Sequence, residues 1–157
     1  MAFETDRFLK AGFVARTADV KVPDLRDFFS EGEEPVWTVR GLEGNEVGRA
    51  KHAVEKYRNL TGLMSKILSG TAKEKVEAAL DSLGYGDNTP DDIVLRQEYL
   101  IMASIEPKVD RELASRLCKF FPVEFFALTN EIYTLTGKGH MPGKQKASGE
   151  TTASMQA

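Results

Sequence analysis

The feature that most restricts what this chain can fold into is a change of hydrophobic period at Asn45. Before it, apolar residues alternate over short runs. After it, they recur at helical spacing in successive stretches broken by glycine and proline. The first stretch carries Val47, Ala50, Val54, Tyr57, Met64, Ile67 and Leu68, with Gly48 and Gly62 as weak points. Thr71 and Glu74 have capping-box spacing for a second, which carries Val76, Ala79, Leu80 and Leu83 and closes at Gly84. A turn at Gly86, Asp87 and Asn88 follows. Thr89, Pro90, Asp91 and Asp92 then supply a cap, a proline suited to the first helical position and acids suited to the positive helix end. The third stretch carries Ile93, Gln97, Leu100, Ile101, Ser104 and Ile105 and stops before Pro107. Asp110 caps a fourth with Leu113, Ala114 and Leu117. A fifth, over residues 122–136, carries Phe125, Phe126, Thr129 and Ile132.

Two β-type runs precede the helices. Asp19, Val20, Lys21 and Val22 alternate, and Pro23 confines them to a strand end or an edge. Residues 35–42 are β-branched and aromatic, with Trp37 and Val39 on one face and Val36, Thr38 and Arg40 on the other. The acidic residues 30–34 between them read as a loop. Two strands alone are marginal, so Trp37 is expected to be buried between them and the helices. At the other end, residues 138–157 offer little to bury and hold three lysines and one glutamate. They read as a flexible tail, dispensable for folding. The expected fold is therefore mainly α. It is a compact bundle of about five helices over residues 45–137, with a small N-terminal two-stranded β annex over about residues 16–42. Residues 1–137 form one domain and 138–157 the tail.

Catalytic patterns are scarce. The spacing from Gly139 to Gly143-Lys144-Gln145 is one residue short of a phosphate loop, and Gln145 stands where a hydroxyl would hold the metal. Gly41, Gly44 and Gly48 follow a strand, but their spacing is not a dinucleotide fingerprint, and Glu43 and Glu46 would repel a phosphate. A strand-to-helix turn explains them. His52 reads as helix surface and His140 as tail, each without clustered ligands. Cys118, the single cysteine, excludes an intramolecular disulfide and suits a reducing compartment. The formal charge of -3 argues against a nucleic-acid coat. The opening residues lack a signal-peptide run, and no stretch approaches the roughly 20 apolar residues of a membrane span. The expectation is a cytoplasmic protein that is not an enzyme and has no cofactor, no metal, no membrane association and no specific nucleic-acid partner.

Aromatic residues resist the bland reading best. Phe120, Phe121, Phe125 and Phe126 are four of the nine phenylalanines, crowded around Pro122. Phe28, Phe29 and Trp37 form a second concentration near the annex. Each is either core or a surface for another protein, and all seven are candidate partner-binding residues.

The order of parts resembles a known family. VKVPDLRDFF, then EEPVWTVRGLEGNEVGRAKHAVE, then long helices, then EFFALTNEIYTLTGKG resemble the tail assembly chaperones of long-tailed bacteriophages. The resemblance runs from about residue 20 to residue 146, and residues 36–46 and 128–144 are its most specific pieces. It implies a small, mostly helical, non-catalytic protein of the host cytoplasm. Such a protein holds the tape measure protein soluble, recruits tail tube protein and leaves before the virion is complete. The alternatives are a structural tail or neck component retained in the particle and, third, a nucleic-acid-binding regulator using Arg111, Arg116 and Lys119.

Overall fold

The computed structural model describes residues 2–82 and 89–143. It is mainly helical, with two small antiparallel sheets. A short helix α1 (Thr5–Lys10) leads into β1 (Phe13–Val14) and β2 (Thr17–Lys21). A 3-10 segment (Pro23–Phe28) and an acidic loop precede β3 (Val36–Arg40). Then come α2 (Gly44–Ile67), α3 (Gly70–Ser82), α4 (Asp91–Ala103), β4 (Ser104–Glu106), α5 (Arg111–Phe120), α6 (Pro122–Lys138) and β5 (Met141–Pro142).

The larger sheet differs from the expected two-stranded annex. Its order is β2-β3-β4, so a strand from between two helices completes it. Thr38 pairs with Glu106 and Val39 with Ser104, across an irregularity in β3. Residues 104–106, expected at the end of a helix, are thus extended. Three residues are too few to display a period, and Pro107 would stop a helix and a strand alike. Strand β3 alternates as anticipated: Trp37 and Val39 are buried, while Val36, Thr38 and Arg40 are half-buried.

Helix α4 is the centre of the core. It packs against α2, α5, α6 and β3, and its Tyr99, Leu100 and Ala103 share one core cluster with Phe125, Leu128 and Ile132 of α6 and Ala114 and Leu117 of α5. Local signals fix several helix ends. The Asp110 carboxylate accepts from Leu113 N at 2.8 Å, starting α5. Pro90, expected at the first helical position, sits instead at the N-cap of α4, and Asp91 and Asp92 occupy the first turn. Thr71 lies inside α3, which begins at Gly70, rather than capping it. The expected stop at Gly84 and the turn at residues 86–88 lie outside the described residues. Helix α3 makes no contact with another described element as extensive as those of α4 to α6. Leu60, Leu63 and Ile67 on the distal half of α2 are exposed.

The junction after β3 is held by charge. Arg40 donates to both Glu46 oxygens, Nη1 to Oε1 at 2.8 Å and Nη2 to Oε2 at 2.6 Å, and also to Met102 O at 3.0 Å. Glu46 in turn accepts from Glu43 N at 3.0 Å. One ion pair therefore joins β3, the start of α2 and the end of α4. Hydrogen bonding to Arg40, opposed by burial, holds the Glu46 carboxyl down at about 2. Glu46, first read as a group that would repel a phosphate, is the partner of Arg40. Gly41 has its own reason: a Cβ there would lie 3.1 Å from the Leu135 carbonyl of α6.

The first residues of the expected tail are part of the folded body. Residues 139–143 return to the body: β5 pairs with β1, Gly143 N donates to Gly12 O at 3.0 Å, and Arg16 Nε donates to Gly139 O at 3.0 Å. Residues 144–157 lie outside the described residues. Among the described residues, no helix is long and apolar enough to cross a membrane.

Two outcomes follow from this packing. Replacing Arg40 by Met leaves the buried Glu46 carboxylate without its fork, and should cost about 2 kcal/mol, a melting decrease of about 4–8 °C. Because the folded pKa of Glu46 lies below its ordinary 4.5, its contribution is present above that value and fades as pH falls toward about 2. Acid titration of stability should therefore be shallower over that window in R40M than in wild type. Truncation after Gly137 removes β5 and the Gly139 acceptor, and should lower the melting temperature by about 2–4 °C. Truncation after Gly143, which keeps all of these contacts, should leave it unchanged, and calorimetry of both chains checks the difference.

Candidate functional site: an aromatic groove

The two aromatic concentrations, far apart in sequence, meet in space. Pro23 starts the 3-10 segment, and that segment buries Leu25 while leaving Phe28 77% exposed. On the other side, α5 ends where Phe121 takes a non-helical conformation, and Pro122 starts α6 immediately after it. Proline is tolerated there because the first helical N–H groups need no intrahelical acceptor. The break turns Phe120 outward, 56% exposed, and sets Phe121 edge-to-face with Phe28 at 6.2 Å between ring centres.

Between these walls lies a cavity of about 620 Å³. Trp37 and Val36 of β3 contribute its floor, Leu113, Leu117, Phe120 and Phe121 one wall, and Leu25, Phe28 and Phe29 the other. Trp37 is only 3% exposed, and its indole N–H donates to Ser104 Oγ at 3.0 Å, so it presents ring rather than a free donor. Glu33, Glu34 and Glu106 stand at the groove, and so does Arg116. The Arg116 guanidinium lies 5.4 Å from the Phe120 ring centre and Lys119 Nζ lies 5.6 Å from it. Burial first, and a hydrogen bond to Asp24 second, raise the carboxyl pKa of Glu124, which sits in the first turn of α6.

The seven candidate residues divide. Phe28, Phe29, Phe120 and Phe121 line the groove, and Trp37 floors it as a core residue. Phe125, one of the candidate partner-binding residues, is fully buried among the core side chains. At helical spacing its direction is toward α4, where burial of a whole ring outweighs any surface role. Phe126, 36% exposed, is absent from the groove lining. Its ring instead lies 4.9 Å from the Arg96 guanidinium, which also donates to Thr129 Oγ1 and Asn130 Oδ1, both at 2.8 Å. Leu25, Leu113 and Leu117 were missed as groove residues. Leu113 and Leu117 carry a core-type signal, and only the angle between α5 and the 3-10 segment brings them to the cleft.

Other candidate chemistry does not assemble into a site. His52 is exposed and lies 3.9 Å from Glu55. Burial pushes the Cys118 thiol up, against a smaller opposing hydrogen bond with Gln97, which is the direction of an unreactive thiol. Residues 139–143, the start of the near phosphate loop, are engaged with β1, and their Gly143 N–H is already donated. Among the described residues, no group of three or more His, Cys, Asp or Glu side chains is placed to hold a metal ion. Arg111, proposed for a nucleic-acid face, is ion-paired with Glu98.

Comparison with protein-family models, curated proteins and solved structures finds no match.

The division of the phenylalanines is directly testable by substitution. Phe125→Ala should cost about 3–5 kcal/mol and yield unstable protein, whereas Phe28→Ser should change stability by less than about 1 kcal/mol. Urea melts followed by circular dichroism measure both.

Proposed function

We propose that this chain is a non-catalytic phage tail assembly chaperone that holds the tape measure protein soluble in the host cytoplasm, with the aromatic groove as its holding surface. In this reading α2 to α6 act together as one compact five-helix holder, and tail tube protein is recruited to the complex. The observation that carries it is the convergence of Phe28, Phe29, Phe120 and Phe121 on one apolar cleft whose rim rings remain accessible to water. Exposed apolar clefts of this size are costly to keep unless something covers them. A tape measure segment presents long apolar helical stripes before the tube encloses it, and a groove can cover them by helix-in-groove packing. The sequence resemblance supplies the partner's identity, and the groove supplies a physical means of binding it.

A structural component retained in the virion is the second reading. The exposed Phe3, Phe8 and Leu9 around α1, and the exposed Leu60, Leu63 and Ile67 of α2, favour it, because a subunit of a permanent assembly needs more than one contact face. A nucleic-acid regulator is third. In α5, Arg111 is ion-paired, and Arg116 and Lys119 lie over Phe120, which leaves that helix poorly suited to phosphate binding.

Co-expression with the tape measure protein of the same phage decides between the first two. Wild type should keep that protein soluble and co-purify with it without ATP. Phe28→Ser or Phe120→Ser should stay folded yet retain at least tenfold less partner. Stoichiometric recovery of this chain in finished particles, with no solubilising effect, would replace the chaperone reading by the structural one.

A further inference from the structure

We propose that the aromatic groove takes an amphipathic helix of a partner protein whose apolar face is flanked by lysine or arginine side chains. This rests on the groove being the binding surface and specifies the conformation and charge of what enters it.

The backbone around the groove decides the conformation. Strand β3, whose first residues floor it, is paired with β2 along its length and with β4 at Thr38 and Val39. The Val36 N–H donates to Glu34 O at 2.8 Å. Strand β4 ends at Glu106, and the next residue is Pro107, which has no N–H. An extended peptide laid in the cleft would thus meet an edge only two residues long, with the Val36 N–H already donated, and most of its own amide groups would be left unpaired against aromatic rings. A helix satisfies those groups internally and offers the groove only side chains. The floor adds no polar anchor through Trp37, because its N–H is already donated to Ser104. Selectivity then falls to the rim.

The rim decides the charge. Glu33, Glu34 and Glu106 carry three carboxylates at the groove, and among the described residues none of them takes part in an ion pair. The cations nearby, Arg116 and Lys119, lie over Phe120 on the opposite wall. A partner helix with cations along one flank would meet the unpaired carboxylates while its apolar face covers the rings. A helix with acids there would bring like charges together at the edge of an apolar surface.

The test uses the full chain and two synthetic helical peptides with the same leucine stripe, one flanked by lysine and one by glutamate. Trp37 is the only tryptophan and floors the groove, so its fluorescence reports occupancy when the peptides carry none. The lysine-flanked peptide should bind about tenfold more tightly at low salt, and the gap should narrow as salt is raised to roughly 1 M. The double variant Glu33→Lys with Glu34→Lys should abolish or invert the preference. The remote pair Glu55→Lys with Glu74→Lys should leave it intact, and Phe28→Ser should weaken both peptides. Equal binding of the two peptides, or a preference lost equally in the remote variant, would overturn the proposed charge while Phe28→Ser still showed the groove in use. Concentration-dependent self-association lost in Phe28→Ser would make the occupant a second copy instead. Peptide binding that Phe28→Ser leaves untouched would remove the groove itself as the binding surface.

Discussion

The rest of the structure depends on the fork between Arg40 and Glu46. Strand β3 must run through the middle of the sheet and then hand the chain to α2, and the turn leaves no room for error. Gly41 lies against the α6 backbone, and Leu42 N donates to Thr136 Oγ1 at 3.0 Å. Two charge-assisted hydrogen bonds fix Arg40 to the first turn of α2, and a third fixes it to the Met102 carbonyl near the end of α4. With the ends of β3, α2 and α4 pinned together, β4 can follow α4 directly and close the third strand against β3. Burying a charge is costly, and here each of the carboxylate oxygens and both terminal guanidinium nitrogens has a partner, which is the condition under which such a pair can persist.

That arrangement also explains where apolar surface is left over. The sheet covers α6 and α4 with Trp37 and Val39, so the core is closed on the β3 side. Beyond the start of β3, only a 3-10 segment and the broken α5–α6 joint remain to cover the floor. Each can bury one side chain of its aromatic doublet more fully than the other. Phe29 is half-buried while Phe28 is exposed, and Phe121 is half-buried while Phe120 is exposed. The groove is the geometric remainder of two doublets that meet at one place. Its acidic edge comes from the loop over residues 30–34, which spans the gap between the 3-10 segment and β3.

Much of this was legible in the chain. The period change at Asn45, the Asp110 cap and the alternation of residues 36–40 all report local backbone chemistry, and local chemistry is written in consecutive residues. Strand β4 was not legible, because three residues carry no period and their extended state comes from pairing with Thr38 and Val39, more than sixty residues away. The return of Met141 and Pro142 to β1 was hidden for the same reason: a polar, glycine-rich segment looks like a tail until a distant edge accepts it.

The sequence by itself determined that the chain is mainly helical, that Trp37 and Val39 share one face of a strand, and that aromatic rings crowd two places. Those properties follow from periodicity and composition. Which rings face water was decided only by the tertiary structure. Phe125 and Phe126 are adjacent in sequence and alike in chemistry, yet one is sealed under α4 and the other lies beside Arg96. Phe28 and Phe121 are distant in sequence, yet their rings touch. Helical rotation of about 100° per residue separates the first pair, and the crossing of the 3-10 segment with the α5–α6 joint unites the second. A single chain records the ingredients of such a groove, but only packing brings its walls together.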